Sequence, residues 1–418
     1  MKAMFYDAII IGGGPAGLAA ALEASKRGLA VLLLEREDRT GGILKQCIHD
    51  GFGIVRFREK LSGPEYAHRF SAGLEAAGAE VRTFTFVSDI QECDGGFLVT
   101  ASDASGMHEF RGRNIVLATG CRERTRNQIL LPGTRPAGVY TAGTAQYLVN
   151  RLGLLPGKRV VILGSGDIGL IMARRLTLEG AEVIGVYEIK NTPSGLPRNI
   201  AQCLLDFNIP LHLCSTVTEI HGKKRIEAVT VSKVDAAGRK IPGTEERIPC
   251  DALILAVGLI PENELGEKLG LRIDPKTKGP EVDQRMMASI PGVFAVGNSL
   301  HVNDLVDYVS ESAEIAARAL SREYSERKIL KIDLDPKFMY VVPQMLDLNA
   351  GLDELIFYFR SNAIYENPRL VVSVDGVDVW SRKYMILQPP LMERIKLSFG
   401  KFGLNENSKI SFRIEVGS

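Results

Sequence analysis

The sequence has few cysteines, and those it has are scattered. Six occur among 418 residues, and no two form a C-x-x-C pair or a cluster with metal-ligand spacing: Cys47, Cys93, Cys121, Cys203, Cys214 and Cys250. This spacing argues against zinc and iron–sulfur sites. It also predicts a protein of a reducing compartment, the cytoplasm, without structural disulfides.

Charge of one sign and long apolar runs are lacking as well. The net charge is +1, from 51 basic and 50 acidic residues, so electrostatics favours neither nucleic acid nor an anionic membrane as a partner. No apolar run approaches the roughly 20 residues that span a bilayer, so no transmembrane segment is expected. The length predicts two to four domains of about 100–200 residues each.

What the sequence does have is an alternation of aliphatic strands with helices. Continuous aliphatic runs are typical of parallel sheets that are buried on both faces. One strand–helix–strand unit occurs twice: Asp7–Ile11, Pro15–Arg27 and Ala30–Leu34 in the first copy, and Arg159–Leu163, Ile168–Leu178 and Glu182–Val186 in the second. The pattern predicts an α/β chain with an internal repeat.

The first copy carries the glycine fingerprint of a dinucleotide-binding turn. Three glycines with G-x-G-x-x-G spacing permit a tight turn, a close approach to a diphosphate, and packing of helix on strand. The helix N-terminus attracts the phosphates, and an acid at the end of the second strand accepts hydrogen bonds from a ribose. The predicted contacts are Gly12, Gly14, Pro15, Ala16, Gly17, Glu35 and Arg36.

The second copy repeats this fingerprint. Its predicted contacts are Gly164, Gly166, Asp167, Ile168, Gly169 and Glu188. A carboxylate at Glu188 repels a 2′-phosphate, so NAD is preferred over NADP, although Lys190 and Arg198 weaken that preference. Two fingerprints predict two dinucleotides and a relay, in which a nicotinamide delivers hydride to a flavin that passes electrons onward.

The chain resembles the two-dinucleotide-binding-domain flavoproteins, the superfamily of glutathione and thioredoxin reductases. The further marks are the ATG at Ala118–Gly120, the AVG at Ala256–Gly258 and the GVFAVGN at Gly292–Asn298. The resemblance implies FAD at the first fingerprint and NAD at the second. It adds predicted cofactor contacts at Gly42, Ala118, Thr119, Gly120, Gly258, Gly297 and Asn298.

The fold class is therefore predicted as α/β, with two Rossmann-like, three-layer ββα domains. The FAD domain, 1–125 and 263–328, is split by an inserted NAD domain with a crossover segment, 126–262. Residues 329–418 alternate apolar and polar side chains, and Asp375-Gly376 separates two such runs as a hairpin turn does. They predict a small C-terminal antiparallel β domain that is structural or docks a partner. A charged helix is expected over Ala319–Arg327.

Four longer segments are similar to a narrower group. They are GGILKQCIHDGFG (41–53), ATGCRERTR (118–126), RPAGVYTAGTAQ (135–146) and SGLPRNIAQCLLDFNIPL (194–211). The group comprises the NAD/FAD-binding subunits of opine oxidase, hydrogen cyanide synthase, dye-linked proline dehydrogenase and heterotetrameric sarcosine oxidase, and oxidoreductases that accompany an anaerobic-type glycerol-3-phosphate dehydrogenase. The resemblance implies a subunit that works with a second, substrate-oxidising flavoprotein, in a hetero- or homo-oligomer.

Two departures from the wider pattern bear on the chemistry. Asn298 stands where the superfamily usually has an aspartate that bonds the FAD ribityl chain, and its amide oxygen is expected to accept that bond. Cys47 follows Gly41-Gly42, but Phe52 stands where a second cysteine would be, so disulfide reduction is not expected.

Cys47 and His49 are the catalytic candidates, and three interpretations stay open. In the first, the imidazole makes a thiolate near the flavin reactive. In the second, both side chains are packed in the protein. In the third, Gln46, Cys47 and His49 shape the flavin pocket. His301 either lies near the flavin or caps the helix or faces solvent. That helix begins near Leu305–Val309 and is expected to direct its N-terminus at the flavin.

Three functions follow from these features. The first is an FAD-dependent NAD(P)H oxidoreductase subunit that exchanges electrons with a partner dehydrogenase or oxidase acting on an amine, an amino acid or glycerol 3-phosphate. The second is a stand-alone NADH oxidase or peroxidase that uses Cys47. The third is a binding subunit whose cofactors hold an assembly together.

Overall fold

The computed structural model describes residues 4–320, 324 and 326–417. The chain divides into two compact units, Met1–Cys121 with Pro261–Ser418, and Arg122–Ile260. None of the helices in the described residues is both long and apolar enough to cross a bilayer.

The first unit is built on a central sheet. Its strands lie in the order Glu80–Arg82, Val31–Leu34, Phe5–Ile11, Gly106–Leu117, Gly96–Asp103 and Phe86–Cys93, and Val293–Ala295 also pairs with Gly106–Leu117. Strand Phe5–Ile11 is parallel to both neighbours, with Ile10 beside Leu33 and Val116. These aliphatic side chains are fully buried, as the continuous runs predict.

Three helices of the first unit pack together and bring distant parts of the sequence into one layer. Helix Pro15–Lys26 contacts Gly63–Ala76 and Val306–Ala319. Its packing face is made of small residues, Ala16, Gly17, Ala20 and Ala24 among them, which are buried. Small side chains let the backbones approach closely, so helix Val306–Ala319 lies beside helix Pro15–Lys26 although about 280 residues separate them in the sequence.

The second unit contains the repeated fingerprint. Its five-stranded parallel sheet has the order Val139–Thr141, Ala252–Leu255, Arg159–Leu163, Glu182–Tyr187 and Leu211–His212. Its helices are Ala142–Leu152, Asp167–Leu178 and Pro197–Cys203, and an antiparallel sheet joins Ser215–Gly222, Ile226–Lys233 and Glu246–Pro249.

The C-terminal segment is β-rich, as predicted, and has its own aromatic core around Phe357, Phe359 and Phe412. One sheet has the order Met345–Asp347, Ile329–Leu334, Ile410–Glu415, Arg369–Val374 and Val377–Lys383, and the other joins Phe338–Val342, Leu355–Ser361 and Glu393–Leu397. The segment is not wholly antiparallel, because Ile329–Leu334 pairs parallel with Ile410–Glu415.

The hairpin signal and the charged helix have different outcomes. Asp375 and Gly376 have φ values of +50° and +82° and connect two antiparallel strands, which confirms the predicted turn. In the segment predicted as a charged helix, residues 321–323 and 325 lie outside the described residues. The preceding helix ends at Ala319, and Tyr324 and Glu326 are not helical.

The shorter elements complete the description. They are the strands Asp50–Phe52, Leu61–Ser62, Cys121–Glu123, Leu259–Pro261, Tyr365–Glu366 and Ile386–Leu387, the helix Glu264–Lys268, and the 3-10 helices Gly42–Gln46, Leu205–Phe207, Gly297–Ser299 and Gly400–Phe402.

Candidate functional site

The first glycine turn is closed against the strand that ends in the ATG sequence. Gly12 has a φ of +103°, and a Cβ there would lie 2.5 Å from the carbonyl oxygen of Ala118. A Cβ on Gly17 would lie 1.8 Å from the carbonyl oxygen of Gly12. Both positions therefore require glycine, one for the turn and one for packing of the helix on the turn.

The buried carboxylate of Glu35 completes this turn. It is 6% exposed and accepts hydrogen bonds from the backbone N–H groups of Gly13, at 2.7 Å, and Glu37, at 2.8 Å. The side chain thus ties the glycine turn to the end of the second strand. Each carboxylate oxygen has a further lone pair, so both can still accept from a ribose hydroxyl. The neighbouring Arg36 is exposed.

The start of the first helix is suited to an anion. Gly14 is the N-cap without a side-chain cap, Pro15 is the first helical residue, and the first turn contains no acidic residue. Its N–H groups and its positive end are therefore available to a diphosphate. Gly42, with a φ of +53°, lies so close that a Cβ there would be 2.9 Å from the Cα of Gly14. The residues present fit the diphosphate of a dinucleotide.

The second turn repeats the same construction. Gly164 has a φ of +99°, and a Cβ there would lie 2.2 Å from the carbonyl oxygen of Ala256. A Cβ on Gly169 would lie 2.6 Å from the carbonyl oxygen of Gly164, whereas Gly166, the N-cap, faces open space. These glycines again leave room for a diphosphate at a helix N-terminus.

The acid of the second turn is held as in the first, with one addition. Glu188 is 4% exposed and accepts from the backbone N–H groups of Ser165 and Lys190, both at 3.1 Å. The hydroxyl of Ser165 donates to the same carboxylate. The side chains of Lys190 and Arg198 are exposed.

Asp167 does more than open the second helix. One of its carboxylate oxygens accepts from the backbone N–H of Leu196 at 2.8 Å and from the side chain of Asn199 at 2.7 Å. It therefore anchors the loop that precedes helix Pro197–Cys203. Its neighbour Ile168 is half-buried beside the core of the second unit. The sequence patterns did not single out Ser165 and Asn199, because hydroxyl and amide side chains are common in loops of every kind.

The closing motif of the first unit lies against the first helix. Gly297 has a φ of +63°, and a Cβ there would be 2.9 Å from the Cβ of Ala16. Its N–H donates to the hydroxyl of Ser312 at 3.0 Å. In the ATG turn, Thr119 donates to the carbonyl of Glu262 at 2.6 Å, and Gly120 has a φ of +74°.

The amide of Asn298 is oriented by its own loop. Its oxygen accepts from the backbone N–H of Asn303 at 3.0 Å and from the side-chain amide at 3.3 Å. A backbone N–H can only donate, so the atom that faces it is the oxygen. The nitrogen donates to the sulfur of Cys121 at 3.6 Å. The oxygen that was expected to accept a hydrogen bond from the ribityl chain is thus already engaged by Asn303. The expectation missed this contact because sequence spacing does not reveal it.

Gly258, predicted from the AVG sequence, lies in the second unit. It has a φ of +105°, and its carbonyl oxygen accepts from the backbone N–H of Arg124 at 3.0 Å. The arginine side chain passes 3.9 Å from where a Cβ on Gly258 would stand. A glycine is favoured here by the positive φ.

Cys47 is buried, and this bears on its catalytic interpretation. It is 8% exposed, its sulfur donates to the carbonyl of Ile43 at 3.3 Å, and burial raises the pKa of its thiol to about 12. A reactive thiol needs a lowered pKa, so this environment favours the packed alternative. His49 is half-buried, bonds the carbonyl of Asp50 through Nδ1 at 3.1 Å and lies 5.0 Å from the ring of Phe52.

His301 neither caps the helix nor faces solvent. It is 1% exposed, with its ring 5.5 Å from the rings of both Tyr340 and Tyr358 of the C-terminal segment. Burial, assisted by the charge of Arg360, lowers the pKa of His301 to about 3. The imidazole is therefore neutral, and it packs against the β-rich segment.

The sequence matches a known family over both turns. The signature of the family described as pyridine nucleotide-disulphide oxidoreductase covers residues 6–319. The hydrogen cyanide synthase subunit HcnB of Pseudomonas aeruginosa is 30% identical over 63% of this chain and 59% of its own length. One of the subunits of opine oxidase from Agrobacterium tumefaciens is 25% identical over 75% of this chain and 64% of its own. The chain thus spans less than two thirds of these relatives.

A solved structure agrees with this match. The crystal structure of T. acidophilum thioredoxin reductase is 25% identical, with a TM-score of 0.63, and covers 76% of this chain and 97% of its own. Two glycine turns with buried acids, and a family signature that spans both, lead to one conclusion: the chain belongs to the pyridine nucleotide-disulphide oxidoreductases, flavoenzymes that bind FAD and NAD(P)H.

Proposed function

We propose that this chain is an electron-transfer subunit that moves hydride between NAD(H) and FAD and exchanges electrons with a partner flavoprotein. The observation that carries the proposal is the repeated turn, in which a buried acid, Glu35 or Glu188, is bonded to the backbone of a glycine fingerprint. Two relatives are named as subunits, of hydrogen cyanide synthase and of opine oxidase. The partner would oxidise an amine, an amino acid or glycerol 3-phosphate.

The cysteines support an acceptor other than a disulfide. Dithiol exchange needs an attacking and a resolving sulfur. The sequence has no C-x-x-C pair, and Phe52 stands where a partner of Cys47 would be. All six cysteines lie in the described residues, none forms a disulfide, and burial raises the pKa of Cys203 and Cys250 as well as that of Cys47. These features support an electron acceptor outside this chain.

We propose a separate role for each turn. FAD, when bound, accepts hydride from a nicotinamide and releases electrons onward. The N-terminus of helix Pro15–Lys26 would hold its diphosphate, and Glu35 its ribose. Glu188 would accept a bond from the 2′-hydroxyl of the nicotinamide dinucleotide, and its charge would repel a 2′-phosphate. This supports a preference for NADH over NADPH.

An anaerobic titration tests the proposal. The full chain, reconstituted with FAD, is titrated with NADH and separately with NADPH while the visible absorbance of the flavin is followed. We expect rapid and complete bleaching with NADH and weaker binding of NADPH, and then recovery of absorbance with an artificial electron-accepting dye. A flavin that binds but that neither nucleotide bleaches would refute hydride transfer and leave the third function, a binding subunit.

The second candidate, an NADH peroxidase, rests on the position of Cys47 directly after the 3-10 helix Gly42–Gln46. Its burial and its raised pKa count against a thiolate. In Cys47→Ser, we expect NADH to bleach the flavin and peroxide to reoxidise it, both at rates within about twofold of those of the wild-type chain. Cys203→Ser, another buried thiol, is the matched control. Selective loss of peroxide turnover in Cys47→Ser would favour the peroxidase.

A further inference from the structure

The β-rich segment contacts the loop 298–305, which leads from the closing motif to helix Val306–Ala319. One of its contacts is made by Arg360, on strand Leu355–Ser361, which is 9% exposed. Its guanidinium donates to the hydroxyl of Tyr340 (2.8 Å), the carbonyls of Pro389 (3.1 Å), Pro390 (2.6 Å) and Val302 (3.3 Å), and the carboxylate of Asp304. Such a buried cation is stable because its planar fork of donors is satisfied.

Two of these contacts lie on either side of Asn303. Val302, which precedes it, accepts a hydrogen bond from Arg360 through its backbone carbonyl, and Asp304, which follows it, accepts one through its carboxylate. Asn303 itself donates from its backbone and its side chain to the oxygen of Asn298. Its side chain also donates to the carbonyl of His301 at 2.9 Å. The orientation of the Asn298 amide is therefore set by a residue that Arg360 holds from both sides.

The same segment fixes the start of the helix. The second oxygen of Asp304 accepts from the backbone N–H of Met392 at 2.6 Å. Asp304 immediately precedes Leu305, the N-cap of helix Val306–Ala319. Two points of the C-terminal segment thus hold the residue that comes before the helix, and a small shift in either would move the helix N-terminus.

We propose that Arg360 is a positioning residue of the flavin site, which fixes the amide of Asn298 and the N-terminus of helix Val306–Ala319. This rests on the proposed placement of FAD at the first turn. A helix N-terminus favours the anionic reduced flavin over the oxidised flavin. The acid in the first turn of this helix, Asp307, is buried, and its carboxylate accepts from the backbone N–H of Arg56 at 3.0 Å. The C-terminal segment is then part of the flavin environment.

The test compares Arg360→Lys with Arg394→Lys in the full chain. Lysine keeps the charge, but its three donors cannot reach five acceptors in a planar array. Arg394 makes an equally direct pair with Glu311, at 2.8 and 2.6 Å, further along the same helix. The reduction potential of the bound flavin is measured by spectroelectrochemistry with a chemical reductant, together with its visible absorbance and circular dichroism.

We expect Arg360→Lys to lower the potential by about 30 mV, a tenfold weaker preference for reduced flavin, and to alter the flavin spectra. Arg394→Lys is expected to keep the wild-type potential and spectra even where both variants lose equal thermal stability. A wild-type potential and wild-type spectra in Arg360→Lys would overturn the proposal.

A milder variant covers the case in which Arg360→Lys does not fold. Tyr340→Phe removes one acceptor and keeps the ring, and we expect a smaller shift in the same direction, whereas no shift would overturn the proposal. The potential is measured without a nicotinamide. Failure of NADH to bleach the flavin would therefore refute the proposed function and leave this comparison intact.

Discussion

The two glycine turns share one plan and differ in how they are completed. In both, a positive-φ glycine approaches a carbonyl at the end of a strand, and a buried acid accepts a hydrogen bond from a backbone N–H of the turn. The first helix begins with no acid in its first turn, whereas the second begins with Asp167. An acid at a helix N-terminus competes with phosphate for the positive end of the helix dipole.

This difference suggests two modes of nucleotide binding. The first helix has no acidic residue in its first turn and is packed by Gly42 and Gly297, as suits a cofactor that stays bound. The second places a carboxylate at the helix start and ties it to a loop, as suits a dinucleotide that must exchange.

The largest effect is expected at the packing glycines. Gly17→Ala places a Cβ 1.8 Å from a carbonyl oxygen, so we expect a loss of about 3 kcal/mol in the free energy of unfolding and loss of bound FAD. Gly169→Ala is the matched change, with a separation of 2.6 Å, and is expected to weaken NADH binding while FAD is retained. Urea unfolding and flavin content check both. Equal loss of FAD in the two variants would break the contrast.

The acids come next. Glu188→Gln replaces one carboxylate oxygen by an NH2 group, which then faces a backbone N–H, that of Ser165 or of Lys190, and cannot accept from it. We expect the affinity for NADH to fall by about 2 kcal/mol, roughly thirtyfold. Discrimination against NADPH is expected to narrow, since the repelling charge is gone. Glu35→Gln should weaken FAD binding and leave the NADH-to-NADPH ratio as it was. The Kd values of both variants for NADH, NADPH and FAD, measured by fluorescence quenching, check these expectations.

His301, in the first unit, should make part of the stability depend on pH. Unfolded histidine has a pKa of about 6.5, whereas buried His301 has one of about 3. The unfolded chain therefore binds a proton that the folded chain refuses, and stability falls as the pH drops from about 6.5 toward 3.

At about pH 5.5 this loss amounts to about 1.4 kcal/mol relative to pH 8. In His301→Phe, a phenyl ring stands between Tyr340 and Tyr358. We expect the free energy of unfolding of this variant, measured with urea, to fall by about 1.4 kcal/mol less than that of the wild-type chain between pH 8 and about pH 5.5. His212→Phe, which exchanges a ring stacked on Tyr187 in the second unit, is the control. An unchanged pH dependence in His301→Phe would contradict the assignment.

The smallest effect concerns Asp167. Asn at this position keeps an oxygen for Leu196 and Asn199 but removes the negative charge. We expect NADH to bind more tightly by about 0.5 kcal/mol at low salt, with the gain lost as salt screens the dipole. Weaker binding would show that the charge of Asp167 supports the site.

Much of the fold could be predicted from the sequence because its signals are local. Aliphatic runs indicated the parallel strands, the two fingerprints indicated the repeat, and Asp375-Gly376 indicated the hairpin, since turn and strand preferences depend on near neighbours. The Cys47 and His301 hypotheses depended instead on burial. Nothing in the residues around His301 indicates that Tyr340 and Tyr358 enclose it.

The family, the two nucleotide turns and the glycines that they require could be predicted from the amino-acid sequence, because their signals lie within short runs of consecutive residues. The folded chain was needed to show which way the amide of Asn298 faces, that Asp167 anchors a distant loop, and that Arg360 holds the residues before helix Val306–Ala319. Those contacts join residues far apart in the chain, and their partners are selected by packing, which no local pattern records.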